Sequence, residues 1–158
     1  MSKTILSHNK NGSFSGMVSQ SVTINASVSS LWKEIGNFIE LSSWVLDVKK
    51  TELLSKIKND IGAARKITFA DGSTVIEYAV GWKERGHLSY IATSGLPLDG
   101  YHATLSITPK GKSCGLMWSS FLISQDSDKK KFEEFLAFME LFYAKSLETL
   151  KENLEKAT

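Results

Sequence analysis

The chain has 158 residues, 42% of them apolar and 23% charged, with 19 basic and 17 acidic side chains giving a net charge of +2. That balance excludes the electrostatic footprint of a nucleic-acid binder, and the length suits one globular domain that removes about two thirds of its unfolded surface from water. A single cysteine, Cys114, excludes an intrachain disulfide, and no run approaches the roughly eighteen consecutive apolar residues of a membrane-spanning helix.

Residues 1–16 are rich in Ser, Asn, Gly and Lys, lack sustained periodicity and carry no apolar core of an export signal. They predict a flexible N-terminal arm on a cytoplasmic protein, with residues 17–158 as its single domain. From Met17 the pattern changes: Val18, Val22 and Ile24 alternate with Ser19, Ser21 and Thr23, which is a strand with one wet face. Ser27 is placed to cap a short helix carrying Val28, Leu31, Trp32 and Ile35, which Gly36 ends. A second short helical turn is expected around Ile39, Leu41 and Trp44.

Six further strands follow, at residues 46–56, 63–70, 73–84, 87–94, 101–109 and 113–124, separated by "KNDIG", "DG", "RG", "GLPLDG" and "KGK". Each separator is short enough for an antiparallel hairpin. From Ser127 to Lys156 the period becomes helical, and Phe132, Phe135, Leu136, Met139, Phe142, Tyr143, Leu147, Leu150 and Leu154 form one apolar stripe. Such a helix is about 45 Å long at 1.5 Å per residue. The predicted class is therefore α+β: a seven-stranded curved antiparallel sheet wrapped around a long C-terminal helix, with two short helices after the first strand. A bent sheet around a helix, with large aromatic residues at its rims, favours an internal cavity.

The ordered set "VTINASVSSLW", "WVLDVKKTELL", "GAARKITFADGSTVIEYAVGW", "LSYIATSGLPLDGYHATLSITP", "LMWSSF" and "FYAKSLETLKENLE" resembles the START-like superfamily, also called SRPBCC or helix-grip. Its polyketide cyclase/dehydrase and lipid-transport branch is the most similar, over about residues 17–156. The resemblance implies that a small hydrophobic or amphipathic molecule is held between sheet and helix, behind loops at one mouth. "SGLP" is also similar in letters to the gate of the plant abscisic acid receptors, but it stands one hairpin later, where those receptors' gate position carries "FADGST", so hormone sensing is not transferred.

Arg65 and Glu77 stand where this branch often has Arg and Glu. A three-residue loop, 71–73, sets Arg65 near Ala79 and Ile67 beside Glu77, with both charges on one face; a two-residue loop pairs Lys66 with Glu77 and turns Arg65 to the opposite side. Facing inward, the two must pair and would anchor a ligand's polar end; facing outward, they contribute less than about 1 kcal/mol. Tyr90, Tyr101, Trp118, Phe135, Met139 and Phe142 are the expected wall residues, because rigid rings with a few hydroxyls suit an amphipathic guest. In "SGLPLDG", Leu96 and Pro97, with Leu98, form either a hydrophobic lid or a stiffened turn capping the core edge.

The three histidines are scattered, with His102 expected to point out if Tyr101 points in, so no metal is expected. No nucleophile elbow or phosphate-binding glycine pattern occurs, and no cofactor is expected. The leading reading is a protein that binds, carries or senses a small hydrophobic molecule. A cyclase or dehydratase, with acid/base help from Arg65, Glu77, Tyr78 or Tyr101, is the alternative, and a partner-regulated interaction module with an unknown protein partner is a third.

Overall fold

The computed structural model describes residues 4–157. Eight strands form one antiparallel sheet: β1 (Thr4–His8), β2 (Phe14–Ile24), β3 (Val48–Leu53), β4 (Ala64–Phe69), β5 (Thr74–Lys83), β6 (His87–Ser94), β7 (Leu98–Lys110) and β8 (Ser113–Ser124). Their order across the sheet is β1-β2-β8-β7-β6-β5-β4-β3, so β2 closes onto the last strand and the remaining pairs are hairpin neighbours. Helix α1 (Val28–Ile35) follows β2, and helix α2 (Lys129–Lys156) ends the chain.

Local chemistry fixes the helix ends. Ser27 Oγ accepts from the Ser30 amide at the start of α1, and Gly36 closes it through backbone bonds to Trp32 and Glu34. Asp128 accepts from the Lys131 amide at the start of α2. The buried residues of α2, from Phe132 through Leu136, Met139, Tyr143 and Leu147 to Leu154, recur every three or four positions. At its far end Lys151 donates to Thr23 O at 2.7 Å, and the Glu155 carboxylate accepts from the Asn25 amide at 2.9 Å, tying α2 to β2.

The strand count is eight where seven were expected, because part of the predicted flexible arm is β1. The polar composition of that stretch is turn chemistry: the Asn9 amide donates to Ser13 O, Asn11 Oδ1 accepts from both the amide and the hydroxyl of Ser13, and Gly12 adopts φ +92°. Residues 9–13 thereby fold a hairpin back onto β2, and Phe14 buries itself 6.5 Å from the Phe132 ring. Residues 1–3 of the arm lie outside the described residues.

The second short helix is also corrected. Residues 37–47 form successive turns, with one helical turn where the Val45 amide reaches Leu41 O. Distant side chains satisfy this backbone instead: the Phe38 amide donates to Asn59 Oδ1, the Leu46 amide to Ser146 Oγ, and Asn153 Nδ2 donates to Ser43 O. The segment is thus stitched to α2, with Trp44 and Val45 facing inward as buried residues. The pairing register slips between Ile5 and Ser7 on β1 and between Val48 and Lys50 on β3, the two edge strands.

Candidate functional site

Between the sheet and α2 lies a cavity of about 410 Å³. Its floor is set by the β4–β5 hairpin. The loop holds three residues, 70–72, closed by the Phe69 amide on Ser73 O; Gly72 supplies φ +88°, and Asp71 Oδ1 accepts from the Ser73 amide and hydroxyl. The expected 71–73 loop is displaced by one residue, which makes Arg65 and Glu77 direct cross-strand partners and leaves Ala79 and Lys66 with other partners. Both charges face inward, 5% and 6% exposed.

Arg65 Nε and Nη2 both donate to Glu77 Oε1, at 3.0 and 2.7 Å, while Nη1 donates to Phe38 O at 2.6 Å. The guanidinium carbon lies 3.9 Å from the Phe38 ring centre and 4.9 Å from that of Tyr90, so aromatic faces cover it as well. Glu77 Oε2 receives no hydrogen bond from any described residue. Burial raises the Glu77 carboxyl above its ordinary range, more than the facing guanidinium lowers it.

Above the ion pair is a belt of rings. Trp118 Nε1 donates to the Tyr90 hydroxyl at 3.0 Å, Trp118 stacks on Tyr143 with centres 4.0 Å apart, and the hydroxyls of Tyr101 and Tyr143 are hydrogen-bonded to each other. Burial raises all three phenols well above their ordinary pKa, so they serve as neutral donors and acceptors. On the helix side stand Phe135, Met139 and Phe142.

The cavity therefore gathers Arg65, Glu77, Tyr90, Leu96, Tyr101, Trp118, Phe135, Met139 and Phe142. Pro97 is not among its wall residues. The bend at 95–97 turns half-buried Leu96 onto the cavity and carries Pro97 over a neighbouring groove beside Lys131 and Phe132; Leu98 already belongs to β7. Gly95 allows this bend, with φ +98° and a position where a Cβ would lie 2.0 Å from Thr74 O. His102 is exposed on the outer face, as expected beside a buried Tyr101.

Several wall residues escaped the sequence reading. Leu41, Trp44 and Val45 reach the cavity from the turn segment, where their apolar spacing was a usable signal. Phe138 lies off the main stripe of α2 and is 58% exposed at the cavity, stacked on Phe142 and tilted against Phe135. Asp47 and Asp71 add two carboxylates to the wall. No helix among the described residues is long and apolar enough to cross a membrane.

Comparison with solved structures places this architecture among known ones. Norcoclaurine synthase from Thalictrum flavum, in complex with dopamine and hydroxybenzaldehyde, superposes with a TM-score of 0.74 at 16% identity, over 95% of this chain and 92% of the other. A START superfamily protein from Mycobacterium smegmatis superposes with a TM-score of 0.73 at 15% identity, over 90% and 99%. The protein XoxI from Bacillus cereus gives a TM-score of 0.74 at 21% identity, over 87% and 94%. Identities this low establish a shared fold. No curated protein matches the chain. The family model described as polyketide cyclase / dehydrase and lipid transport matches residues 16–155, nearly the whole helix-grip unit, and the chain accordingly belongs to that family.

Proposed function

We propose that this protein binds a small hydrophobic or amphipathic molecule in the cavity between sheet and α2, with the guest's polar end at Arg65 and Glu77. One observation carries the reading: an aromatic-walled space of about 410 Å³ surrounds a buried ion pair that has an unoccupied acceptor atom. Such a space falls within the range of small-molecule sites, and packed to interior density it takes a guest of about 300 Å³, the bulk of a few fused rings. Burying about 300 Å² of apolar guest surface contributes about 7 kcal/mol before the costs of association. Carriage or sensing in the cytoplasm requires no turnover, and the lone buried thiol of Cys114 suits a reducing compartment.

Native mass spectrometry of freshly purified protein, followed by denaturing extraction, tests the proposal. A defined lipophilic mass is expected on the wild type and is expected to be lost in Leu96→Asp and Phe135→Asp. An empty protein that also refuses fatty acids, terpenoids and aromatic polyketides removes the binding reading.

A further inference from the structure

The charges on the cavity wall are lopsided. Three side chains are acidic, Asp47, Asp71 and Glu77, and one is basic, Arg65. Moreover, Arg65 is largely engaged: three of its five N–H donors go to Glu77 Oε1 and Phe38 O, and its faces lie against Phe38 and Tyr90. An anionic head brought to Arg65 must sit beside the Glu77 carboxylate, and like charges at that range repel strongly in a dry site. At the hairpin tip, Ser73 holds the Asp71 carboxyl below its ordinary range, so the wall there carries a fixed negative charge.

Of the wall's polar atoms without a hydrogen bond, Trp44 Nε1 is a fully buried donor that a guest does not reach, whereas Glu77 Oε2 beside Arg65 is an acceptor. Glu77 Oε2 has no protein hydrogen bond and is open to the cavity, where a donor on a guest reaches it. We infer that the cavity selects guests by a hydrogen-bond-donating head, a hydroxyl or an ammonium that bonds Glu77 Oε2, on an aromatic or polycyclic body, and that it rejects carboxylates such as free fatty acids. This specificity rests on the binding function proposed above and narrows it to one class of head group.

A matched set with one body and different heads tests it: biphenyl, biphenyl-4-ol, 4-(aminomethyl)biphenyl and biphenyl-4-carboxylate, titrated into the wild-type protein by isothermal calorimetry at neutral pH. The alcohol, the amine or both are expected to bind about tenfold or more tightly than biphenyl, as a hydrogen bond to a charged group allows, with the carboxylate weakest. Which of the two donors leads decides between a neutral and a cationic natural guest. A carboxylate that equals or exceeds the alcohol and the amine overturns the head-group inference while leaving the binding function intact. If no member binds, biphenyl included, the binding function and this inference fail together.

The double substitution Arg65→Met with Glu77→Leu supplies the second arm, since a buried ion pair replaced by apolar groups of similar volume usually keeps its fold. With the fold confirmed by circular dichroism, the alcohol and the parent hydrocarbon are expected to bind this variant within about twofold of each other. Discrimination that survives the double substitution overturns the assignment to Glu77. Should the variant fail to fold, the wild-type ranking of the four compounds decides alone.

Discussion

At the position of Arg65 and Glu77, a guanidinium and a carboxylate are tolerated inside an apolar wall only while both are present. Removing one partner strands the other charge, so Arg65→Met alone is expected to cost about 3–5 kcal/mol at neutral pH, read from urea melts, whereas the double apolar replacement stays close to wild type. The pH dependence follows from the direction of the Glu77 shift. Its carboxyl is raised in the folded protein, so the folded state takes up a proton before the unfolded chain does. The associated stability is fully present below the ordinary carboxyl range and is lost as pH rises through the folded value. Wild type is therefore expected to gain on the Arg65→Met/Glu77→Leu variant as pH falls from neutral toward acid; a gap that closes instead reverses the sign. The alternation along β4 and β5 left open whether both charges share one face, because a two-residue loop and a three-residue loop give opposite answers. Their pairing was open too, because it depends on where a three-residue loop starts, and Gly72 with the Asp71–Ser73 hydrogen bonds makes that choice.

Among the elements, the bend at 95–97 and the tip of the β4–β5 hairpin offer a direct comparison. Gly72 and Gly95 both have positive φ, yet a Cβ on Gly72 meets nothing within 4 Å, whereas on Gly95 it would collide with Thr74 O at 2.0 Å. Gly72→Ala is expected to cost only the backbone strain, about 1 kcal/mol, and Gly95→Ala about 3 kcal/mol or more, because the bend must also lift off β5. Equal costs for the two variants in denaturant melts would show that this contact carries no weight. Strands and helices with a regular period were legible in the sequence down to their caps at Ser27 and Gly36. The missed elements share a cause: β1 runs into polar residues, 9–13, whose hydrogen bonds make a hairpin, and 37–47 is held by Asn59, Ser146 and Asn153, from 21 to 110 residues away in the chain. No local window contains that information.

For the whole molecule, the cavity leaves interior space unfilled beside α2, and a guest that fills it adds contacts to the folded state alone. A guest at a hundred times its dissociation constant stabilises by about 2.7 kcal/mol, which for a domain of this size raises Tm by about 5–10 °C. The donor-headed biphenyls are expected to give that shift in differential scanning fluorimetry. An unchanged Tm at saturation would mean that they bind the unfolded chain equally well. The nine cavity residues anticipated in the sequence lie on seven different elements or bends, and only the closure of the sheet around α2 brings them to one wall. Pro97 shows the limit of that reasoning, since the bend sends consecutive residues to different grooves.

The sheet is open, and its outermost strands, β1 and β3, present backbone groups that could recruit a strand from another chain. Each carries a slip in its pairing register, between Ile5 and Ser7 and between Val48 and Lys50, which breaks the flat ladder that such recruitment needs. On β3 the adjacent Lys49 and Lys50 are both exposed, and charged side chains on an edge disfavour the addition of another strand. The slips, with the lysines on β3, thus disfavour strand addition at both margins of the sheet that encloses the cavity against α2.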